Sequence, residues 1–459
     1  MSGGLLLLFL AITIAIILIL ILRLKMNAAI AMFIGACFMG FASNVGFMQT
    51  IGAISTGFGN TMKGIGLSVG FGIMLGQIVA DTGAVQTIAN KMLKMFGEKK
   101  SDYSMGTTGF IVSIPVFYDV GYVILMPIAK LLSKKSSQKI LPNFVGALTA
   151  GLGIAHTFIP PTPGPLTGGQ LMGVPVGTTI IAGIAIGLPT FLISMAIYNN
   201  VFVKNPKFWD PATCEEHDPI AEAELAAREK ELIKDEKNLP SFGLSMLPIF
   251  LPVILILIGT VWGAVVGKNA EGVSLVPNFI QMISSKEVAM FFGILASFLL
   301  CPGRLNLKQI DKSMSVAMAS AGTVLLITGM GGALSNVLAV AGIGDALKAI
   351  LATISIPAIL FAWFIAALLK VAQGSGTVSM ITSLGIIAAM GDLGVAPIFL
   401  AMAAFSGSLF GAHVNDSAFW ITSKISGLST LGGLKTYTLV CAIQSIVSLV
   451  LIFAASLIF

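Results

Sequence analysis

Several ionisable side chains stand inside otherwise apolar stretches of this sequence, where they could carry protons. His413 and Asp416 fall in HVND, His156 stands in AHTF, and Asp119 stands in FYDVG. Histidine exchanges its proton near neutral pH, and a carboxylate in an apolar environment can do the same. These four residues are therefore the predicted proton-coupling groups. Two alternatives stay open: a single buried histidine is more often structural, and Asp119 could cap a helix.

Glycine, proline and hydroxyl residues accompany the ionisable groups and predict interrupted helices. IPPTPGP at 159–165 has four prolines in seven residues, and no continuous helix survives that density. The free N–H groups at half-helix N-termini attract anions, so the breaks favour a carboxylate ligand over a glycine-rich helix contact. The predicted substrate-binding residues are Thr157, Thr162, Gly164, Gly374, Ser375, Gly376, Thr377, His413, Asn415 and Ser417.

The composition predicts a polytopic α-helical membrane protein. Of the 459 residues, 56% are hydrophobic and 10% are charged, and the mean hydropathy is +0.97. Apolar runs near the ~20 residues that a membrane helix needs exclude an outer-membrane barrel, whose strands alternate over shorter segments. The net charge of +6 indicates basic loops on one membrane face and no nucleic-acid partner. The lipid bilayer is therefore a predicted partner.

Ten stretches are long and apolar enough to be candidate spans. The first is expected to be retained and not cleaved as a signal peptide, because no basic residue precedes it and Arg23 and Lys25 follow it. The four cysteines show no disulfide or metal spacing. The spans are predicted at about 4–22, 27–45, 64–82, 141–159, 176–202, 244–266, 286–302, 314–340, 396–414 and 434–458.

Residues 105–132 differ from these spans because basic stretches, at 91–100 and 130–139, flank them on both sides. A single crossing would place one basic stretch outside, against the positive-inside tendency. We therefore predict a re-entrant hairpin, with a kinked span as the alternative. The only long hydrophilic stretch, 204–240, is predicted to be a cytoplasmic linker with a short helix from Ala221 to Asp235. Its Cys214 and His217 are too few to indicate a metal site.

The two halves of the sequence resemble each other. GIMLGQIVADTGAVQTI at 72–88 aligns with GGALSNVLAVAGIGDAL at 331–347, and Ala155-His156 aligns with Ala412-His413 at nearly the same offset. Five spans and one hairpin per half force the second copy to start on the opposite face. The sequence thus predicts two inverted repeats with interrupted helices meeting near the midplane, which is the layout of secondary transporters.

The predicted organisation follows from this repeat. Residues 1–203 form the first repeat, and residues 241–459 form the second. Both termini are expected outside. The remaining predicted features are the broken helices at about 141–170 and 396–420 and the second hairpin at about 351–385.

At these motifs the sequence resembles the gluconate permease (GntP) family of sugar-acid:proton symporters, within the ion-transporter superfamily. The likeness covers nearly the whole chain and includes GFGIMLGQIVADTG, FYDVGYV, HTFIPPTPGPL, GSGTVSMIT and HVNDSAFW. It implies proton-coupled uptake of a small carboxylate such as gluconate across a bacterial inner membrane, with an elevator motion and a homodimer. It implies no cofactor. The implied site comprises Asp119, His156, Thr157, Ser375, Thr377, His413, Asn415 and Asp416.

The sequence departs from the family pattern at the implied pocket. Asp119 stands where glutamate is usual, Thr162 where a second histidine is usual, and Gln373 and Gly376 replace the commoner LGSAT. The substrate could therefore be glycerate, a ketoacid sugar or D-serine. Sodium coupling through unwound carbonyls near Gly374 and Asn415 stays open. A membrane-embedded enzyme is disfavoured because the sequence predicts neither an H-E-x-x-H site nor a G-x-S-x-G nucleophile elbow. A passive channel is disfavoured because the polar breaks favour an occluded site.

Overall fold

The structure is a computed structural model that describes residues 3–24, 26–136, 139–216, 238–266, 276–346, 356–414 and 416–458. Helices make up most of this part of the chain, which contains no β-strand beyond one isolated bridge between Glu215 and Leu428. Three predictions lie outside the described residues: the helix from Ala221 to Asp235, His217 and Asn415.

The first half contains ten helices within the described ranges. Their bounds are α1 Gly3–Leu22, α2 Ala28–Ala42, α3 Phe47–Asp81, α4 Ala84–Phe96, α5 Ser101–Val112, α6 Tyr118–Lys135, α7 Leu141–Phe158, α8 Pro163–Leu171, α9 Val176–Ile197 and α10 Pro211–Cys214. A π-helical turn, Tyr198–Val203, continues α9.

The second half contributes ten more helices in the described part of the chain. Their bounds are α11 Phe242–Val266, α12 Asn278–Ser284, α13 Lys286–Phe298, α14 Leu307–Val340, α15 Ala358–Gln373, α16 Gly376–Ala389, α17 Pro397–Gly407, α18 Ser417–Ser426, α19 Thr430–Gly433 and α20 Leu439–Ser456. The π-helical turn Leu434–Thr438 joins the last two.

Seven described helices are long and apolar enough to cross a membrane, and an eighth crossing is possible if α12 and α13 count as one span bent by 61°. Two spans start earlier than the sequence predicts. Helix α3 begins at Phe47 and not near 64, and α14 begins at Leu307 and not near 314. The first part of each helix is polar, and that of α3 is also rich in glycine, so the hydropathy of both parts is low. The helical hydrogen bonding nevertheless continues through them without a break. At about 50 Å each, the two helices exceed the thickness of the hydrocarbon core.

Both predicted hairpins contain a helix break. The first break separates α5 from α6 at residues 113–117, and the second separates α15 from α16 at Gly374 and Ser375. Lys139, just after α6, forms an ion pair of 2.8 Å with Asp102 in the first turn of α5. The two ends of the first segment therefore lie side by side, as in a hairpin. The basic stretch 91–100 is partly helical, because Lys91 and Lys94 belong to α4.

Helix α7 lies at the centre of the molecule, and nearly all its residues are buried. It ends before residues 159–162, and α8 follows, as the proline-rich stretch predicts. In the second half, α17 ends at Gly407 and α18 starts at Ser417. Each hairpin packs on the other half: α6 contacts α18, and α16 contacts α8. All four breaks thereby meet around α7.

The segments predicted to be cytoplasmic contact one another at one end of the molecule. Cys214 accepts a hydrogen bond from Ser429 through its carbonyl oxygen, so the start of the linker packs against the turn after α18. The paired atoms are Arg304 Nε and the Asn238 carbonyl oxygen at 2.6 Å, Ser313 Oγ and Asp81 Oδ2 at 2.6 Å, and Lys424 Nζ and Glu216 Oε2 at 2.7 Å. These loops therefore share one face.

Candidate functional site

A cavity of about 210 Å³ lies where the four helix breaks meet. It is smaller than the roughly 300–1,000 Å³ usual for drug-sized ligands and suits a small organic acid. Its lining residues are Phe117, Tyr118, Asp119, Gly153, His156, Thr157, Gly164, Lys370, Ser375, Gly376, Thr377, Met380, Ser408, Leu409, Ala412, Asp416, Ser417, Ala418, Tyr437 and Cys441.

Four helix N-termini border this cavity, because α6, α8, α16 and α18 all begin at the breaks. Side chains cap two of them: Ser375 Oγ accepts from Val378 N at 3.3 Å, and Asp416 Oδ1 accepts from Ala418 N at 3.0 Å. The starts of α6 and α8 have no side-chain cap. Among the first three residues of α8 only Gly164 has a free N–H, because Pro163 and Pro165 have none. Unpaired backbone N–H groups and the helix dipoles make the cavity favourable for an anion.

The structure brings nine of the predicted site residues together in the cavity wall. They are Asp119, His156, Thr157, Gly164, Ser375, Gly376, Thr377, Asp416 and Ser417. The hydroxyl and carboxyl groups among them come from both halves of the chain. The wall can therefore hydrogen-bond a hydroxylated ligand from several sides.

Three other predicted residues lie outside the cavity wall. Thr162 is buried and donates its hydroxyl to the carbonyl oxygens of His156 and Ile159, at 2.9 and 2.7 Å, so it holds the turn between α7 and α8. Gly374 ends α15 with a φ of 83°, a conformation that favours glycine. His413 Nε2 lies 3.2 Å from the Val371 carbonyl oxygen. None of the three lies in the cavity wall of this structure, and their roles in binding or proton coupling stay predictions.

Asp416 has more partners than the sequence suggests. Lys370 Nζ lies 2.5 Å from Asp416 Oδ2, and the Tyr437 hydroxyl donates to the same oxygen at 2.8 Å. Lys370 also donates to the Gly374 carbonyl oxygen at 2.5 Å. Lys370 and Asp416 are 4% and 6% exposed, so the pair is shielded from water. A predicted proton carrier is thus also one half of a buried ion pair.

Lys370 and Tyr437 are the functional candidates that sequence reasoning missed. A signal for Lys370 was present, since a lysine within the apolar stretch 358–373 is as costly at membrane depth as Asp416 and needs a partner. Tyr437 gave no such signal, because a tyrosine near the start of an apolar helix is common at membrane interfaces.

Asp119 and His156 face the cavity without the partners that Asp416 has. Asp119 lies in the first turn of α6 and has no ion pair within the described ranges. His156 packs its ring on Phe117 with centroids 5.5 Å apart, and its buried Nδ1 has no hydrogen-bond partner in the described part of the chain. Both groups are available to a ligand or a proton.

Two tyrosines hold the first hairpin against α18. The Tyr118 hydroxyl lies 2.7 Å from that of Thr422, and the Tyr122 hydroxyl lies 2.6 Å from that of Ser426. These contacts place Asp119 beside the start of α18.

Residues 66–70 match G-x-S-x-G but lie within the continuous helix α3, so they form no nucleophile elbow.

Comparison with known proteins agrees with this architecture. The family model described as "GntP family permease" matches residues 5–458. A gluconate permease of Pseudomonas aeruginosa is 31% identical over 95% of this chain and 94% of its own length. The Gnt-II system L-idonate transporter of Escherichia coli is 30% identical over 93% of each chain.

Among solved structures, the Alcanivorax borkumensis YdaH transporter matches with a TM-score of 0.52 and 16% identity over 88% of each chain, which supports the fold. The family model and these relatives are named permeases or transporters, which identifies the chain as a transporter and not an enzyme. The chain belongs to the GntP permease family of membrane transporters.

Proposed function

We propose that this protein imports a small hydroxylated carboxylate, gluconate or a related sugar acid, by proton symport. The observation that carries the proposal is the cavity, in which four helix N-termini and the Lys370 ammonium surround space for a small anion. Two relatives are named for gluconate and L-idonate, which are both hydroxylated six-carbon acids.

The hydroxyls of the cavity wall suit the hydroxyls of a sugar acid. Thr157, Thr377 and Ser417 each offer one O–H donor and two acceptor lone pairs. Ser375 offers its O–H donor and one lone pair, because its Oγ already accepts from Val378 N. A site that hydrogen-bonds several substrate hydroxyls discriminates strongly against analogues that lack them, because its own polar groups would be left unpaired. Glycerate and D-serine, with fewer hydroxyls, are therefore expected to be weaker substrates than gluconate.

Proton coupling is favoured over sodium coupling by the contents of the cavity. Asp119, His156 and Asp416 are three groups that can take up a proton there. The Gly374 carbonyl oxygen, proposed from the sequence as a sodium ligand, accepts a hydrogen bond from Lys370. A positive charge already stands at that oxygen, so a sodium ion beside it would be repelled.

The remaining parts of the proposal concern the whole transporter. We propose that it lies in the inner membrane of a bacterium as a homodimer, with both termini outside, and that the hairpins and broken helices move as an elevator against the other helices. α1, α2 and parts of α3 and α14 contribute to a hydrophobic cluster separate from the large one around α7, and the second hairpin joins this smaller cluster through Val378 and Ile386 of α16.

Uptake of labelled gluconate into proteoliposomes tests the substrate and the coupling ion together. We expect saturable accumulation when the outside is more acidic than the inside, loss of accumulation with a protonophore, and no change when sodium replaces potassium. Glycerate, a ketoacid sugar and D-serine are run in parallel as competitors, and protein-free liposomes are the control.

Three results would contradict parts of the proposal. Accumulation that follows a sodium gradient and does not depend on the pH gradient would show that the coupling ion is sodium and not the proton. Equilibration of gluconate across the membrane without saturation would indicate a channel. Uptake of D-serine in preference to gluconate would show that the substrate is not a sugar acid.

A further inference from the structure

The Lys370 ammonium is a charged donor with unused capacity beside the cavity. Of its three N–H donors, two have acceptors among the described residues, the Gly374 carbonyl oxygen and Asp416 Oδ2. A Cβ atom built on Gly376 would lie 3.8 Å from Nζ. Because Gly376 carries no side chain, the ammonium faces the cavity next to the N-terminus of α16. A carboxylate bound there would meet a positive charge and a helix N-terminus together.

The net charge around the Lys370 ammonium depends on whether Asp416 is ionised and on whether a substrate carboxylate is bound. With Asp416 ionised, its charge and that of Lys370 cancel, and an incoming carboxylate would add an unpaired negative charge near Asp119. With Asp416 protonated, Lys370 loses its counter-ion, and a buried unpaired charge is strongly unfavourable. A substrate carboxylate then restores neutrality. Binding of the proton and of the carboxylate therefore favour each other.

Asp416 can hold its position as a neutral acid. Its Oδ1 accepts from Ala418 N at 3.0 Å, and its Oδ2 is bound by the Tyr437 hydroxyl at 2.8 Å, so neither contact needs Lys370. The carboxyl group can thus release the ammonium without leaving the start of α18.

From these contacts we propose that Lys370 exchanges its partner, from Asp416 to the substrate carboxylate, when Asp416 takes up a proton, and that this exchange couples one proton to one substrate. The inference rests on the proposed function. The proton is transferred from the solvent to an Asp416 carboxylate oxygen, and it leaves again when Lys370 returns after substrate release.

Protonation of the other titratable groups around the Lys370–Asp416 pair would not release Lys370 from Asp416. Asp119 on α6 has no cationic partner within the described ranges, so its protonation frees no positive charge. His156 on α7 would add a positive charge on protonation but would leave the pair intact. Tyr437 in the π-helical turn 434–438 and Cys441 on α20 line the same cavity, and both are neutral when protonated.

Calorimetric titration of the purified full-length protein with gluconate, in two buffers of different ionisation enthalpy, tests the exchange. Glycerate and D-serine are titrated in parallel. For the wild type we expect uptake of about one proton per gluconate, and a Kd that rises by about tenfold per pH unit at alkaline pH. Asp416→Asn mimics the protonated acid, so we expect it to bind gluconate without proton uptake and with a Kd independent of pH.

Variants of Lys370 separate charge from structure. Lys370→Met should weaken gluconate binding by roughly tenfold or more, and Lys370→Arg should retain most of it. The double variant Lys370→Met/Asp416→Asn leaves no unpaired charge, so it should melt near the wild-type temperature and still bind weakly. Lys63→Met, on the exposed face of α3, is the matched control and should bind like the wild type.

The outcomes distinguish this inference from the proposed function. If the wild type binds none of the three carboxylates, the proposed function fails and the exchange fails with it. If the wild type binds gluconate but Asp416→Asn still takes up a proton, or the double variant binds as tightly as the wild type, the exchange alone is overturned. Where Asp416→Asn does not fold, the double variant decides.

Discussion

The two histidines that align in the sequence repeat have different surroundings in the structure. His156 lines the cavity, packs on Phe117 and has a buried Nδ1 without a hydrogen-bond partner in the described part of the chain. His413 lies outside the cavity wall with Nε2 near the Val371 carbonyl oxygen. Histidines that align in the sequence therefore have different surroundings in the structure.

Substitution by glutamine should separate the two histidines. We expect His156→Gln to lower the initial rate of gluconate uptake by roughly tenfold or more, because it alters a polar group inside the site. His413→Gln keeps a polar group near Val371 and should change the rate by less than about twofold. The measurement is uptake into proteoliposomes at equal amounts of reconstituted protein. A larger loss for His413→Gln would mean that His413 reaches the substrate in another state of the transporter.

Much of the site could be predicted at the level of single residues, because a polar group at membrane depth is conspicuous in sequence. Asp119, His156 and Ser375 were found in that way. The direction of each side chain could not be predicted, and that direction separates Thr162 from Thr157. Lys370 was missed although a lysine inside the apolar stretch 358–373 needs a partner at membrane depth.

At the level of elements, the longest helices pack closely at a glycine contact. Helices α3 and α14 cross where Gly57 faces Gly332, and a Cβ on Gly57 would lie 2.5 Å from the Gly332 carbonyl oxygen. The Asn336 side chain also donates to the Ala53 carbonyl oxygen at 2.8 Å across the same contact. Small residues at such a crossing let the backbones approach, which is how membrane helices associate without a hydrophobic driving force.

Adding one methyl group at this crossing should weaken the protein. We expect Gly57→Ala to lower the free energy of unfolding by about 1–3 kcal/mol, because backbone atoms of α14 would have to move. Gly59→Ala on the same helix has open space around its Cβ and should be neutral or slightly stabilising. Melting temperatures of the purified variants measure the difference. Equal temperatures would show that the two helices separate easily.

The bounds of these elements could be predicted only in part. Hydropathy located the apolar half of α3 but not residues 47–63, whose polar and glycine residues lower the local hydropathy. The proline-rich break after α7 was located from the sequence because proline removes a backbone donor and clashes with the preceding turn. Covalent geometry thus predicted the helix interruption better than hydropathy predicted the helix starts.

At the scale of the whole molecule, the basic stretches predict which end faces the cytoplasm. The start of the linker is hydrogen-bonded to the turn after α18, and its end is hydrogen-bonded to Arg304, just before α14. The basic stretch after the first hairpin pairs with the start of α5 through Lys139 and Asp102. The positive-inside tendency assigns a face carrying such basic stretches to the cytoplasm. The inverted repeat itself stays a prediction, and its orientation can be measured.

Labelling of single cysteines in intact cells tests this orientation and the first hairpin together. In a background with the four native cysteines replaced by alanine, cysteine is introduced at one of three exposed positions, Lys99, Lys134 or Asp392. Lys99 precedes α5 and Lys134 lies in the last turn of α6, so a re-entrant hairpin places both on one face. We expect a membrane-impermeant maleimide to label Asp392→Cys in intact cells, and Lys99→Cys and Lys134→Cys only after permeabilisation. Labelling of Lys99→Cys and Lys134→Cys from opposite faces would show that the segment is a kinked span and not a hairpin. Labelling of both from outside would show that the whole topology is inverted relative to the prediction.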